Sequence, residues 1–222
     1  LTDGSLFGTL CATSRVRQPY TLEGEQVMNL FANLIAHYVE KESLVQQLRS
    51  ANVALEMHSY TDELTGLPNR RSLFKYLAAQ FPRAREQGRS MLLIFIDLDD
   101  FKAINDRFGH PCGDSFLIQV GERLAAHVRS GDIVGRLGGD EFLIVGPGCE
   151  LADQQEYIPA LRQALTGIYF LGEHRINYPG ASFGVIEADP QQIDVEQALR
   201  AADDAMYLDK QSRRQGRFFH ID

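Results

Sequence analysis

The stretch IVGRLGGDEFLIV, residues 133–145, decides the fold of this chain. Apolar residues flank the GGDE turn at 138–141, which predicts a β-hairpin with strands at about 133–137 and 142–145. The two glycines permit positive φ and carry no side chain, so a ligand has room to lie over the turn. Taken alone, such a turn is more often a plain hairpin with a solvated tip, so its interpretation depends on the rest of the chain.

A second acidic cluster lies upstream of this hairpin. The apolar run at 91–96 predicts a buried strand, and a group of aspartates that begins with Asp97 ends it. If the two strands are neighbours, Asp97 lies close to Asp140 and Glu141. Carboxylate oxygens suit Mg²⁺ or Mn²⁺, which also bind phosphate oxygens. An acidic strand end is often only a helix cap, but the two clusters together indicate metal-assisted phosphate chemistry.

The composition limits the classes of partner. The net charge of -8 over 222 residues makes binding to a nucleic acid polymer unfavourable. A nucleotide substrate remains compatible with this charge, because a divalent metal can lie between carboxylates and phosphates. Three widely spaced cysteines without a CxxC pair favour a reducing, cytoplasmic location. The longest apolar run is too short to span a membrane. No signal peptide is visible. The first residue is not Met, so the sequence leaves open whether a membrane anchor lies upstream.

A long helix is predicted from about Thr21 to Met57, with an acidic first turn. Apolar residues recur along it in steps of four and three, with two polar interruptions. This heptad seam consists of Val27, Phe31, Leu34, Tyr38, Lys41, Val45, Leu48, Asn52 and Leu55. A helix packed on its own domain is the alternative, but the sustained period favours a parallel coiled coil in a homodimer.

The remaining pattern predicts the fold class. A short strand is expected at 5–13 and another at 181–188. Helices are expected at 71–86, 101–105, 114–128, 154–165 and 195–212, with a Gly-His-Pro loop at 109–111. This order predicts an α/β fold with a central, mainly antiparallel sheet flanked by helices.

Four motifs together resemble the GGDEF family of diguanylate cyclases. They are DELTGLPNR at 62–70, FIDLDDFKAIND at 95–106, GHPCGD at 109–114 and RLGGDEF at 136–142. The resemblance covers about residues 60–217. It implies the palm-like fold of nucleotide cyclases and polymerases. It also implies an enzyme that condenses two GTP molecules into cyclic di-GMP and two pyrophosphates, with two copies facing each other.

The resemblance implies a role for each matching acidic residue. Asp97 and Asp140 are the implied ligands of two Mg²⁺ or Mn²⁺ ions, with the Leu98 carbonyl oxygen helping and Glu141 close by. Asp140 is also the candidate that accepts the proton of the 3′-hydroxyl. Asp97, Asp140 and Glu141 are therefore the expected catalytic residues.

The resemblance also implies the substrate contacts. Lys102, with the backbone amides of Asp100 and Phe101, is placed to hold the triphosphate. Asn105 and Asp114 match the residues that read guanine, and Lys210 and Arg214 match two phosphate-binding cations on the last helix. The chain departs from the family pattern at Asp209 and Arg213, where small residues are usual, and Gly216-Arg217 offers a second register. Which of Arg213, Arg214 and Arg217 reaches phosphate is therefore open.

Two further segments carry expectations. Arg129 and Asp132 precede Gly138 at the offset of the family's inhibitory product site, with Arg162 as a candidate second arginine. Their alternative is a local surface salt bridge. The N-terminal residues are similar to the end of GAF sensor domains. The implied organisation is a sensor remnant at 1–22, a linker helix at 23–59 and a GGDEF domain at 60–222. The alternatives to an active cyclase are an inactive nucleotide sensor and a dimeric interaction module.

Overall fold

The computed structural model describes residues 8–11, 13, 15–16, 19, 21–148 and 151–216, without the side chains of 49–59, 151–152 and 215–216. The chain divides into two compact units, one that ends at Met57 and one that begins at His58. Helices and strands alternate through the second unit. The elements are α1 (Leu22–Tyr60), α2 (Arg70–Gln87), β1 (Met91–Asp97), α3 (Phe101–Phe108), α4 (His110–His127), β2 (Ile133–Gly138), β3 (Glu141–Pro147), α5 (Leu151–Leu165), β4 (Gly167–Leu171), β5 (His174–Tyr178), β6 (Ser182–Ala188) and α6 (Val195–Gly216).

The main sheet has the strand order β2-β3-β1-β6, and every neighbouring pair is antiparallel. This confirms the predicted antiparallel sheet flanked by helices. All seven residues of β1 are buried, because both faces of the strand are covered. Leu92, Ile94 and Ile96 belong to a core that α4 and α5 share. Leu93 and Phe95 point to the other face, toward a core that α2 and α6 share.

The long helix begins as predicted. Thr21 caps α1, since its hydroxyl accepts from the amide of Gly24 at 3.1 Å. Along the part of α1 with described side chains, the seam residues Val27, Phe31, Leu34 and Leu48 are exposed by half or more. No helix in the described residues is both long enough and apolar enough to cross a membrane.

Two expectations about the elements are wrong, and one pair of strands was not predicted. Residues 8–11 and 13 of the strand expected at 5–13 are not in a strand, because no partner strand lies beside them among the described residues; its first part, 5–7, and residue 12 are outside them. Helix α4 begins at His110, because Pro111 fits a first helical turn and Gly109 adopts a positive φ before it. The β4–β5 hairpin was not predicted, since each of its strands is only five residues long.

Candidate active site

The strand register places the acidic residues at one edge of the sheet. Asp97, the last residue of β1, pairs with Glu141 on β3 and with Ser182 on β6. The amide of Leu98 donates to the carbonyl of Asp140 at 3.1 Å, which ties the end of β1 to the GGDE turn. The turn needs its glycines, because Gly138 and Gly139 have φ of 142° and 55°. The predicted proximity of Asp97 to the GGDE turn is therefore confirmed.

Arg136 fixes the shape of this turn. Its Nε and Nη2 donate to the carbonyl of Gly139 at 3.0 and 2.8 Å. Its Nη1 donates to both carboxylate oxygens of Asp62, at 3.0 and 3.2 Å. Burial by itself raises the pKa of Asp62, but hydrogen bonds from Thr65 and the Arg136 guanidinium outweigh it and lower the pKa overall. The pair of Asp62 and Arg136 was not predicted from the sequence. The only sign of it there is that the DELTGLPNR motif supplies an acidic residue and the RLGGDEF motif a basic one.

The DELTGLPNR segment lies against the strand that leads into the turn. The amide of Arg136 donates to the carbonyl of Pro68 at 2.9 Å. A Cβ atom on Gly135 would lie 2.3 Å from that carbonyl oxygen, so only glycine permits this approach. Asn69 caps α2 through a hydrogen bond from the amide of Ser72. The two motifs therefore form one rigid support for the GGDE turn.

The carboxylates at this edge oppose one another's ionisation. Burial and the negative charge of Asp97 raise the pKa of Asp140. Burial and the charges of Asp97, Asp140 and Asp203 likewise raise the pKa of Glu141. Lys210 offsets part of this charge, because its Nζ lies 2.6 Å from Oδ1 of Asp97. The edge therefore carries more negative charge than its protein neighbours compensate.

The donor set fits a divalent cation in its chemistry. Asp97, Asp140 and the backbone oxygen of Leu98 are hard oxygen ligands at one edge, and a cation would relieve the repulsion between the two carboxylates. The side chains do not converge into a cage. Across the part of the chain that the structure describes, no three His, Cys, Asp or Glu side chains are close enough together to hold an ion.

An open cavity of about 490 Å³ adjoins the acidic edge. Cations from two elements line it, Lys102 on α3 and Lys210 and Arg214 on α6. The remaining lining consists of Leu98, Asp100, Phe101, Ala103, Asp106 and Asp140. The amide of Phe101 already donates to the carbonyl of Leu98, at 3.3 Å, so a phosphate must compete for it. The cavity brings together every residue expected to hold the triphosphate.

The two departures on the last helix have structural partners. Asp209 accepts from the amide of Phe183 at 2.8 Å and from Nη1 of Arg162 at 3.0 Å. Arg213 donates to Asp99, 3.0 Å from Nε to Oδ2. Arg214 faces the cavity, whereas Arg213 does not line it. Arg217 lies outside the described residues.

The expected guanine readers lie on consecutive helices. Asn105 is half-buried on α3, and Asp114 is exposed in the second turn of α4. Gly113 lies directly against Asn105, since a Cβ at this position would be 1.8 Å from Oδ1 of Asn105. Neither reader lines the cavity that holds the three cations.

Arg129 and Asp132 form a closed pair. Nε and Nη2 of Arg129 donate to the two oxygens of Asp132 at 3.0 and 3.2 Å, and the hydroxyl of Tyr157 donates to the same carboxylate at 3.0 Å. The Asp132 side chain is 1% exposed and that of Arg129 is 27% exposed. Burial and the charge of Asp132 raise the pKa of Tyr157 well above its usual value. Arg162 instead pairs with Asp209 and stacks on Phe183.

Comparison with known proteins agrees with this geometry. The family described as diguanylate cyclase, GGDEF domain, matches residues 59–216. The diguanylate cyclase DgcP of Escherichia coli K12 is 51% identical over 218 residues, which cover 98% of this chain and 64% of DgcP. The chain thus spans about two thirds or less of the curated relatives it matches first, and only 26% of MucR from Pseudomonas aeruginosa.

Solved structures show the same fold. The diguanylate cyclase SiaD of Pseudomonas aeruginosa, in complex with its activator SiaC, superposes with a TM-score of 0.66 at 31% identity, over 86% of this chain and 73% of SiaD. The GGDEF domain of DgcB from Caulobacter crescentus, in complex with c-di-GMP, gives a TM-score of 0.64 at 25% identity, over 69% of this chain and 91% of that domain. With the family match over residues 59–216, these likenesses place the chain in the GGDEF family of diguanylate cyclase domains.

Proposed function

We propose that this chain is a diguanylate cyclase, which condenses two GTP molecules into cyclic di-GMP and two pyrophosphates. The observation that carries the proposal is the cavity in which Lys102, Lys210 and Arg214 face the uncompensated carboxylate edge at Asp140. Three cations suit a triphosphate, and the adjoining carboxylates suit the cation that phosphoryl chemistry requires.

The acidic edge is the proposed reaction centre. Two divalent ions per site, Mg²⁺ or Mn²⁺, are proposed to bind at this edge. They would lower the pKa of the 3′-hydroxyl and offset the negative charge on the α-phosphate and the leaving pyrophosphate. Asp97, Asp140 and the Leu98 carbonyl are the proposed ligands, with Glu141 beside them. Asp140 is the proposed acceptor of the hydroxyl proton, since burial and Asp97 raise its pKa toward that of a useful base.

The same edge orients the substrate. Lys210 and Arg214 are one turn apart on α6 and both line the cavity, so they are the proposed clamp on the triphosphate, with Lys102 opposite. The backbone at Asp100 and Phe101 completes this clamp. Asn105 and Asp114 are the proposed guanine readers. A carboxylate can accept from both N1–H and the 2-amino group of guanine, and adenine would leave it unpaired.

A second copy is the proposed partner, because each domain holds one GTP and the product needs two. The exposed seam of α1 is the proposed contact, since an unpaired apolar stripe on a helix favours association with another helix. Leu48→Asp should reduce both the dimer fraction and turnover, measured by light scattering and product formation. Gln47→Asp, a matched change next to the seam, should alter neither. Equal behaviour of the two variants would refute this role.

Cyclic di-GMP is also the proposed inhibitor, bound at Arg129 and Asp132. The exposed part of Arg129 can contact a guanine edge or a phosphate of the product. Asp132 can contact the product only if its bonds to Arg129 and Tyr157 open, because its side chain is 1% exposed.

The proposed domain organisation has a GAF-like remnant at residues 1–22, a linker at 23–59 and the cyclase domain at 60–222. A reducing, cytoplasmic setting fits the free thiols of Cys11 and Cys112.

One incubation tests the activity. The chain is incubated with GTP and Mg²⁺, and the products are identified by chromatography, with ATP in a parallel reaction. Cyclic di-GMP and pyrophosphate are expected from GTP, and no cyclic product is expected from ATP. Binding of GTP without any product would instead indicate the alternative, an inactive nucleotide sensor or interaction module. Comparable turnover of ATP would refute the guanine-reading roles of Asn105 and Asp114.

A further inference from the structure

The C-terminal half of α6 is fastened to the sheet by Arg213. The Nε of Arg213 lies 3.0 Å from Oδ2 of Asp99, and Nη2 lies 3.4 Å from the carbonyl oxygen of Pro179. The other oxygen of Asp99 accepts from the hydroxyl of Ser182 at 2.6 Å, in the buried interior. Arg213 therefore bridges the helix to the end of β1 and to the start of β6.

The seat of this guanidinium is specific in shape. Gly180 has a φ of +119°, and a Cβ at this position would lie 2.9 Å from Nη2 of Arg213. The guanidinium thus lies against a backbone position whose positive φ favours glycine. The Asp99 side chain is 7% exposed, and Arg213 supplies a positive charge beside it.

The bridge lies between the two cations that face the cavity. Lys210 is three residues before Arg213 and Arg214 directly follows it, and both line the cavity that Arg213 itself does not line. Residues three and four positions apart lie on the same face of a helix, so Arg213 and Arg214 both lie beside Lys210, and a rotation of α6 that moved one of the three would move the others. The bridge therefore sets the rotation of the last turns of α6.

We propose that Arg213 is a positioning residue, which through Asp99 and the Pro179 carbonyl holds α6 so that Lys210 and Arg214 meet the triphosphate. This inference rests on the proposed function only in taking a guanosine triphosphate as the ligand of the cavity. It assigns a role to a position at which the family pattern has glycine, and it separates Arg213 from the direct phosphate ligands.

Binding of two probes tests this role. The first is 3′-deoxy-GTP, which cannot cyclise, and the second is GMP, which lacks the outer phosphates. Arg213→Ala should weaken 3′-deoxy-GTP about tenfold and leave GMP within about twofold, because the outer phosphates depend on the two cations. In turnover, KM for GTP should rise by a similar factor while kcat changes little. Arg213→Lys should restore most of the affinity, and Arg200→Ala, which removes an exposed pair on the same helix, should change nothing.

A double-mutant cycle separates positioning from direct contact. Asp99→Asn should weaken 3′-deoxy-GTP by about the same factor as Arg213→Ala, and the double variant should be no worse than either one. If Arg213 bound phosphate directly, or acted only through its charge, Asp99→Asn would leave the affinity unchanged or raise it. That result would overturn the proposal, as would unchanged affinity in Arg213→Ala or an equal loss for GMP.

The failure of this inference is distinguishable from that of the proposed function. If the unmodified chain binds 3′-deoxy-GTP but forms no cyclic di-GMP from GTP, the proposed function fails and the positioning role stands on the binding data. If the chain forms the product and Arg213→Ala binds the probe normally, only the positioning role fails. An unmodified chain that binds no probe would overturn both.

Discussion

Two charged regions of the GGDEF domain differ in how completely their charges are matched. At the acidic edge, burial and the charge of Asp97 raise the pKa of both Asp140 and Glu141, and Asp140 faces an open cavity. At Arg129 and Asp132, each carboxylate oxygen has its donor and the pair is closed by Tyr157. An edge with uncompensated negative charge is suited to bind cations, and phosphates through them, whereas a matched buried pair lowers stability when one of its partners is removed. Substitutions in the two regions should therefore have opposite signatures.

The largest effect is expected at the acidic edge. Asp140→Asn should reduce cyclic di-GMP formation at least about a hundredfold, because the proposed metal ligand and proton acceptor is lost. Its Tm should stay unchanged or rise, since one of two repelling charges is removed. Chromatography of the products measures the activity, and thermal unfolding measures the Tm. Asp204→Asn, at an exposed position on α6, is the control. A falling Tm with retained activity would remove the contrast between the regions.

The matched pair should respond in the reverse way. Arg129→Ala leaves the buried Asp132 without its partner and should cost about 2 kcal/mol, or roughly 4–8 °C in Tm. The initial rate should be retained, and inhibition by added cyclic di-GMP should weaken. Arg200→Ala removes an exposed pair and should shift Tm by less than about 2 °C. If cyclic di-GMP inhibits the Arg129 variant as strongly as the unmodified chain, this pair has only a structural role.

A smaller, pH-dependent effect is expected where a matched pair supports the acidic edge. The pKa of Asp62 is lowered in the fold, so its stabilising contribution is present above the unfolded pKa of about 3.9 and is lost as pH falls through the folded value. Asp62→Asn should therefore lower Tm at pH 7, and the gap to the unmodified chain should narrow progressively as pH falls below about 4. Glu63→Gln, an exposed neighbour, should show no such trend; a gap that does not narrow as the pH falls would contradict the assignment.

The smallest effect compares two buried tyrosines. The hydroxyl of Tyr178 is buried and has no hydrogen-bond partner among the described residues, whereas that of Tyr157 donates to Asp132. Tyr178→Phe should leave Tm unchanged or raise it slightly, because an unpaired buried hydroxyl is unfavourable. Tyr157→Phe should lower Tm by a few degrees, corresponding to about 1 kcal/mol. The same response in both variants would show that pairing is not what separates them.

Local patterns explain what could be predicted from the sequence. The GGDE hairpin, the buried strand β1 and the cap of α1 each depend on residues a few positions apart, and the structure has all three. The closeness of Asp97 to Glu141 followed once the two strands were taken as neighbours. Periodicity and turn chemistry were sufficient for these features.

Long-range pairs explain what could not be predicted. Asp62 and Arg136 are 74 positions apart, and Asp99 and Arg213 are 114 apart, so no spacing rule relates them. The β4–β5 hairpin has strands of only five residues, and so short a run is not separated from the end of the preceding helix by periodicity. In the sequence, Arg213 was only a departure from a pattern, and its partner became visible once the helix and the sheet were in contact.

The end of α1 is joined to the GGDE turn by a chain of hydrogen bonds. The carbonyl of Tyr60 accepts from the amide of Asn69, and the carbonyl of its neighbour Pro68 accepts from the amide of Arg136, whose guanidinium holds Gly139. A displacement of the backbone at Tyr60 would therefore act on the GGDE turn through three successive hydrogen bonds, which are joined by the backbone at residues 68–69 and by the side chain of Arg136.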